Sequence, residues 1–353
     1  MKIVVLGGGI STERNVSLVT ATSVCKALRT AGHQAVFVDS FLGLEDYKKD
    51  LNKIFEEPDG MCADVKIDRE EPDLSKVWAI RKNKSNSRIG DKVLEACALA
   101  DCVFIGLHGL DGEDGKIQAL LDLYGIPYTG SDSISSANSM DKSMTKKIMD
   151  YAGIPNAPWK EYHLDECNIS EITNEWELPC VVKVVDGGSS IGVFICDSRS
   201  ELKEALTKAS ALNSHILIEK KITGREFAVA VLDGKILSPI EIIPPEGGSF
   251  DYVSKYQSGN EAAREICPAD ITPEQKEILG DLALRLYNAL GLSVYSRADI
   301  ILDENNNGWC LEMNTLPGMT GASLLPKAAK DCGYDYPALC DTIVRLSLEK
   351  NSN

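Results

Sequence analysis

The chain has 353 residues, of which 44% are hydrophobic and 25% are charged, as is typical of a globular protein and not of a disordered one. A chain of this length is longer than those that usually fold around a single hydrophobic core, so we predict two or three domains. The formal net charge of −16 argues against a nucleic-acid partner, because binding to a phosphate backbone depends on lysine and arginine.

Three further features indicate where the protein is located. No apolar run reaches the roughly 18 residues that cross a membrane, and the first strand runs into glycines without a signal-peptide cleavage region. The eleven cysteines are an odd number and include no C-x-x-C pair, which argues against a disulfide framework or a zinc knuckle. We therefore expect a cytoplasmic protein with no membrane partner.

The first third of the chain alternates strand-like and helical patterns. The segments are KIVVL, a helical stretch over 13–31, QAVFVD, a second helical stretch over 91–100, and DCVFIGLHG. This alternation predicts an α/β domain with a parallel sheet and helices on its faces. Between residues 45 and 88 the periodicity disappears into polar, charge-rich sequence, which we interpret as an excursion that carries no chemistry.

The rest of the chain predicts further helices and mainly antiparallel strands. Helical patterns cover DKSMTKKIMDYAG and residues 199–211, while CVVKVV, IGVFIC and HILIEKKI predict strands. Two hairpins follow, EFAVAVLDGKILSPIEII and YSRADIILDENNNGWCLEMN, with Asp-Gly and Asn-Asn-Gly turns. A helix over 273–290 has a capping box of Thr272 and Gln275, Pro273 at its first position and Gly291 as its stop.

The three glycines after the first strand raise the possibility of a dinucleotide site. Asp39 ends the next strand, where a ribose-binding acid would lie, but Thr12 stands where G-x-G-x-x-G requires its third glycine. A tight turn without a nucleotide explains the glycines as well. Glu13 and His108 follow two strand ends at the same edge of the sheet, where parallel sheets bind ligands, although His108 fits a structural loop histidine equally well.

The strongest chemical pattern lies in the second hairpin, SRADIILDENNNGWCLEMN. Because side chains alternate along a strand, Arg297 and Asp299 share one face, and Glu312 and Asn314 share one face of the partner strand. Two carboxylates and an amide are oxygen ligands that suit Mg²⁺. A cross-strand salt bridge between Arg297 and Glu312 is the alternative, but the apolar neighbours predict a buried sheet, where unpaired charge is costly.

Lys183 is a second charged residue that the sequence predicts to be buried. It lies within the strand CVVKVV, where a buried ammonium group needs an anionic partner to keep its charge. The following DGGSSIG is a flexible turn whose backbone N–H groups can cover phosphates. The lysine and the turn together favour a phosphate-binding site over a simple hairpin turn.

Taken together, these motifs resemble the D-alanine–D-alanine ligase family of the ATP-grasp superfamily. The stretches that carry the resemblance are GGGISTERNVSL, LHGLDGEDG, IPYTGSD, MDK, GGSSIG, LIEK, GREF, DYVSKY, SRADI and LEMNTLPGMTGASL. The resemblance implies a three-domain ATP-grasp architecture, with domains at 1–131, 132–215 and 216–353. It also implies ATP-dependent formation of D-alanyl-D-alanine for peptidoglycan, and a homodimer.

The resemblance further implies a role for each matching residue. Those that would bind ATP are Lys142, Lys183, Glu219, Lys220, Ile222, Glu226 and the lid residue Lys255. Asp299, Glu312 and Asn314 would hold two Mg²⁺ ions, with Mn²⁺ as a possible substitute. Glu13, Ser189 and Tyr256 would close over the first D-alanine beside His108. Arg297 and the N–H of Gly318 would stabilise the oxyanion, and Ser323 and Leu324 would bind the second carboxylate.

Two alternatives to this prediction remain: a ligase with another second substrate, and a binding protein that catalyses no reaction. The same chemistry with D-serine or another amino acid as second substrate stays open, because several loops line the second subsite. A nucleotide-regulated binding protein without turnover would be expected to lack Arg297 or a metal ligand, and all of these are present.

Overall fold

The structure is a computed structural model that describes residues 1–62, 72–188, 192–244 and 263–350. Its strands form three sheets, of which the first is parallel and the other two are antiparallel. The predicted combination of an N-terminal parallel α/β domain with mainly antiparallel sheets after it is confirmed. No helix of the described residues is both long enough and apolar enough to cross a membrane.

The first sheet lies in the N-terminal part of the chain. Its strands are β1 (Lys2–Gly7), β2 (Gln34–Asp39) and β3 (Cys102–Ile105), in the order β2-β1-β3. The helices of this part are α1 (Arg14–Thr30), α2 (Leu74–Ile80), α3 (Val93–Ala98) and α4 (Lys116–Leu123), with a 3₁₀ turn at Leu51–Glu56. Because β1 lies between its two partners, the turn after β1 and the loop after β3 meet in a crevice at their carboxyl ends.

Two helices lead from this sheet to the second one. They are α5 (Ser133–Met140) and α6 (Lys142–Tyr151), and α6 begins where Asp141 caps it by accepting the Met144 N–H at 2.8 Å. The second sheet has the order β4-β7-β5-β6, from β4 (Trp159–His163), β5 (Cys180–Val184), β6 (Val193–Cys196) and β7 (His215–Lys220). It packs with the helices α7 (Ile169–Glu175) and α8 (Arg199–Leu212).

The third sheet forms the centre of the C-terminal part. Its strands are β8 (Arg225–Leu232), β9 (Lys235–Ile236), β10 (Ile240–Ile243), β11 (Arg264–Ile266), β12 (Tyr295–Leu302) and β13 (Gly308–Asn314). Helix α9 (Pro273–Ala289) packs against one face together with Met149 of α6. The last helices, α10 (Leu324–Asp331) and α11 (Tyr336–Lys350), lie in the core that this sheet shares with the parallel sheet.

Local sequence patterns located most of these elements. The capping box of Thr272 and Gln275 at the start of α9 is confirmed, with Pro273 in the first turn. The second predicted hairpin is β12 and β13, joined through Asn305–Asn307. The predicted excursion contains a 3₁₀ turn and the short helix α2, whose N-cap is Asp73.

The limits between domains stay a prediction. The second sheet includes β7, which pairs with β4 and β5 as far as Lys220. The buried side chains of Ile216 and Ile218 belong to the core of that sheet. We therefore propose moving the second boundary from 215 to the residues just after Lys220, while keeping the limit at 131.

Candidate active site

A cavity of about 1280 Å³ lies where the three sheets meet. Every candidate residue within the described part of the chain lines it, although these residues come from all three sheets. They are Glu13, His108, Lys142, Lys183, Glu219, Lys220, Ile222, Glu226, Arg297, Asp299, Glu312, Asn314, Gly318, Ser323 and Leu324. The remaining candidates, Ser189, Lys255 and Tyr256, lie outside the described residues.

The turn after β1 does not form a ribose site. Asp39 makes a buried ion pair with Arg14 and accepts the N–H groups of Phe41 and Leu42, each at 3.0 Å. Gly8 has φ +71°, and a Cβ there would lie 2.6 Å from the Asp39 carboxylate. The acid at the end of β2 thus holds the glycine turn in place, which explains the glycines without a dinucleotide.

The loop after β3 lies directly beside this turn. The Ser11 hydroxyl donates to the carbonyl of His108 at 2.7 Å, and the imidazole of His108 lies 3.0 Å from the Thr20 hydroxyl. Burial, with the Arg297 charge nearby, lowers the pKa of His108 to about 4. This histidine is therefore neutral at physiological pH and serves as a hydrogen-bonding group, not as a cation.

Two carboxyl groups, those of Glu13 and Glu113, lie near enough in this crevice to affect each other electrostatically. Glu113 accepts the Gly109 N–H at 2.6 Å, and burial followed by the charge of Glu13 raises its pKa well above the usual range. A Cβ on Gly188 would lie 2.6 Å from the carboxylate of Glu13, so the glycine loop after β5 approaches this side chain closely. Glu113 was not among the predicted site residues, although it lies in the quoted LHGLDGEDG stretch.

A buried cluster of charges lies under the glycine loop. Lys183 has the anionic partner that its sequence position requires, since its Nζ lies 2.5 Å from Oε1 of Glu219. The other carboxylate oxygen lies 2.6 Å from Nζ of Lys146 on α6. Burial lowers the pKa of Lys183, but Glu219 outweighs burial and the net shift is upward. The pKa of Glu219 is lowered because the two lysines outweigh its burial.

Sequence reasoning did not find Lys146. Its side chain is 3% exposed, and burial together with the Lys183 charge lowers its pKa despite the pairing with Glu219. Nothing in the local pattern distinguishes it from Lys147, whose side chain is 49% exposed and pairs with Glu161. The arrangement gives two ammonium groups to one carboxylate, so the cluster carries an excess positive charge beside the cavity.

Lys142 approaches the same loop from the start of α6. Its Nζ donates to the carbonyl of Gly187, and its backbone N–H donates to the carbonyl of Val185 at 3.0 Å. Lys142 and Lys183 therefore flank the glycine loop from a helix and from a strand. Two cations that flank the start of a glycine-rich loop suit a polyphosphate.

The four polar residues of the second hairpin lie on one face, as predicted. Asp299 is directly opposite Glu312, and Arg297 is opposite Asn314, with a bulge after Asp299. Arg297 donates to both oxygens of Asp299, at 2.7 and 2.8 Å, so this ion pair runs along β12. Arg297 is 9% exposed and Asp299 4%, which confirms the predicted buried setting.

This face fits a hard cation only in part. The donors are two carboxylates and one amide, and the described residues contain no cluster of three or more His, Cys, Asp and Glu side chains suited to a metal. Mg²⁺ commonly takes one or two carboxylates from the protein and completes its shell with water and substrate phosphates. The hairpin could supply the protein ligands of such a shell, and it faces the same cavity as the lysines.

The far end of the cavity contains the start of α10. Ser323 precedes the first helical residue, Leu324, and its hydroxyl lies 2.8 Å from that of Thr320 and accepts the Thr320 N–H at 3.1 Å. A Cβ on Gly318 would lie 2.8 Å from this hydroxyl, so the backbone at Gly318 passes close to the helix start. The N-terminus of a helix favours an anion, such as a carboxylate.

Comparison with known proteins gives full-length similarity to one family. Residues 2–131 match the family model "D-ala D-ala ligase N-terminus", and residues 147–345 match "D-ala D-ala ligase C-terminus". A D-alanine–D-alanine ligase of Pediococcus pentosaceus is 38% identical over 98% of this chain and 97% of its own length. One from Lacticaseibacillus casei is 37% identical, with 99% and 96% covered.

Solved structures give the same result. The D-alanine–D-alanine ligase from Bacillus anthracis is 31% identical, covers 100% of this chain and 99% of its own, and has a TM-score of 0.74. The crystal structure of the ligase from that organism complexed with ATP gives a TM-score of 0.72, at 29% identity with 100% and 99% covered.

Proposed function

The chain belongs to the D-alanine–D-alanine ligase family, and on that premise we propose that it joins two molecules of D-alanine while converting ATP to ADP and phosphate. The reaction passes through D-alanyl phosphate and supplies a dipeptide for peptidoglycan. The observation that carries this proposal is the convergence of candidate residues from three sheets on one cavity. ATP-grasp architecture, with nucleotide between the second and third sheets, is consistent with this arrangement.

We assign the phosphates of ATP to Lys142 and Lys183, with Lys255 as a further contact. The excess positive charge around Glu219 supports this role, because transfer of a phosphoryl group requires neutralisation of its oxygens. The carboxylate of Glu219 already holds two lysines, so we assign its part in the adenine slot to its backbone. Lys220, Ile222 and Glu226, which also line the cavity, complete the adenine and ribose contacts.

We assign metal binding to Asp299, Glu312 and Asn314, with two Mg²⁺ ions and Mn²⁺ as a substitute. Such ions, when bound, neutralise charge on the transferring phosphoryl group. The support is the oxygen donor set on one buried face of the hairpin. Arg297 keeps Asp299 oriented through two hydrogen bonds, which restricts the directions in which its remaining lone pairs point.

The first D-alanine fits the crevice around Glu13 and His108. The carboxylate of Glu13 would pair with the substrate ammonium group. Ser189 and Tyr256 would close over the substrate together with Glu13. Neutral His108 donates or accepts a hydrogen bond without adding charge. The substrate carboxylate attacks the γ-phosphorus of ATP, the bond to the β-phosphate oxygen breaks, and ADP leaves as the acyl phosphate forms. Closure of the cavity over this intermediate would protect it from water.

The second D-alanine attacks the acyl phosphate as a free amine. Arg297 and the N–H of Gly318 would stabilise the oxyanion of the tetrahedral intermediate, which collapses by release of phosphate. Ser323 and Leu324, at the start of α10, would bind the carboxylate of this second substrate. The helix N-terminus supports this assignment because it favours negative charge.

A homodimer located in the cytoplasm completes the proposal, with small molecules as its only substrates and no nucleic-acid or membrane partner. The family resemblance supports the dimer, and the net charge of −16 argues against nucleic acid. Sedimentation at working concentration tests the dimer, and a single monomeric species would contradict it.

The central test measures ADP release by the purified protein. We expect release only when D-alanine is present, and we expect Glu312→Ala to abolish it because a metal ligand is lost. Glu304→Ala is the matched control, since this exposed carboxylate lies in the turn of the same hairpin. Release of ADP that does not depend on any amino acid would contradict the ligase assignment. D-serine, D-lactate and L-amino acids, supplied as second substrates, identify the acceptor.

A further inference from the structure

The polar excursion between β2 and β3 contacts both loops of the crevice through one side chain. Arg88 donates through Nε to the carboxylate of Asp111, in the loop after β3. It also donates through a terminal nitrogen to the carbonyl of Ile10, in the turn after β1, at 3.2 Å. A residue from the part of the chain without apparent chemistry therefore links the two loops.

The backbone that presents Arg88 is itself held from inside. Arg81 is 1% exposed and donates to the carbonyl groups of Ser87 and Ile89, one on each side of Arg88. Its guanidinium also lies 4.6 Å from the centre of the Phe41 ring, just after β2. This second arginine fixes the segment that carries Arg88 against the N-terminal sheet.

The two linked loops carry the residues that we assign to the first amino-acid subsite. Glu13 lies three residues after Ile10, and Asp111 lies between His108 and Glu113. Ser11 already links the loops through the carbonyl of His108. Arg88 adds a second link through the carboxylate of Asp111, whose backbone has the left-handed φ of +69° that aspartate tolerates.

We infer that Arg88 is a positioning residue for the first amino-acid subsite, holding the Glu13 turn and the His108–Glu113 loop at a fixed separation with Arg81 as its support. Arg88 does not line the cavity, so it acts through the loops and not by contact with substrate. Through this contact the excursion sets the geometry in which Glu13 and His108 act. This inference rests on the proposed function only for the identity of the bound amino acid.

The test compares Arg88→Gln with Lys82→Gln in the full-length protein. Lys82 is the matched control because it is a cation of the same excursion that pairs with Asp46 and contacts neither loop in the described structure. Hydrogen–deuterium exchange should become at least about 3-fold faster in residues 8–13 and 108–115 of Arg88→Gln, since a charge-assisted hydrogen bond to each loop is lost. Lys82→Gln should leave both segments unchanged.

Kinetics give the second measurement. In Arg88→Gln the KM for D-alanine should rise about 3- to 10-fold, while the KM for ATP stays within about 2-fold, because the ATP side of the cavity is not touched. Arg88→Lys should restore part of the loss, and Asp111→Asn should reproduce it. Circular dichroism confirms that the variants fold.

The possible results separate this inference from the proposed function. Wild-type protein without D-alanine-dependent ADP release would contradict the function, while the exchange measurement would still decide the role of Arg88. Exchange that is unchanged in both loops, or faster only within residues 81–90, would overturn the inference. So would an equal rise in the KM for ATP, because that would indicate a general loss of structure.

Discussion

Replacing Glu219 by glutamine should destabilise the protein strongly, because its carboxylate is the shared partner of two buried lysines. The carboxylate and Lys146 are each 3% exposed, and Lys183 is 10% exposed, so solvent screens none of the three charges effectively. The variant keeps the volume of the side chain but leaves two ammonium groups buried without their shared anion. This perturbation therefore isolates charge from packing.

The expected loss is about 3–5 kcal/mol in the free energy of unfolding, the range found when one partner of a buried ion pair is removed. Lys146→Met is milder, at about 1–3 kcal/mol, because the Glu219 and Lys183 pair stays intact. In the unfolded chain a lysine has a pKa of about 10.4. In the folded glutamine variant, burial without an anionic partner lowers the pKa of the two lysines, so they lose their protons at lower pH. The deficit is therefore largest near neutral pH and shrinks as the pH rises toward 10.

Urea unfolding followed by tryptophan fluorescence measures this loss, since Trp159 and Trp176 both lie in the second sheet or beside it. Glu204→Gln is the control, because its carboxylate forms an exposed pair with Lys208 that contributes little to stability. A loss below about 1 kcal/mol in the Glu219 variant, equal to that of the control, would refute the reasoning. It would mean that the lysines find water or other partners at little cost.

Two more predictions concern stability. Because burial lowers the pKa of His108 to about 4, the unfolded chain binds more protons between about pH 6.5 and pH 4. The free energy of unfolding should therefore fall as the pH drops through that window, and it should fall less steeply in His108→Gln. Urea midpoints of the wild type and the variant that change in parallel from pH 7 to 4.5 would contradict this. Thr272→Ala should lower the free energy of unfolding by about 1 kcal/mol, because it removes the cap of α9. Thr207→Ala, in the middle of a helix, should cause no such loss. Equal urea midpoints of the two variants would contradict this prediction.

Sequence reasoning succeeded where the pattern is local. The alternation along β12 and β13 was enough to place Arg297, Asp299, Glu312 and Asn314 on one face, because side chains alternate whatever surrounds the strand. The same holds for the caps of α9, which involve neighbours in the chain. The position of Lys183 within an apolar strand also required an anionic partner, although the pattern could not say which carboxylate supplies it.

It failed where partners are distant and their types are common. Lys146 and Glu219 are separated by 73 positions, and Arg88 meets Ile10 across 78. A polar residue in an amphipathic helix or a charged loop has many possible partners, and only packing selects one. Strand β7 also pairs with partners that are distant in the chain, β4 and β5, while the domain limit at 215 stays a prediction.

The sequence by itself therefore determined the local chemistry: which residues share a strand face, where helices begin, and why a strand lysine needs an anion. Only the tertiary structure decided how the three sheets bring these groups to one cavity, and which buried carboxylate balances which lysines. The physical reason is that strand alternation and capping are short-range effects. The contacts of Lys146 and Arg88, in contrast, exist only after distant segments have packed against each other.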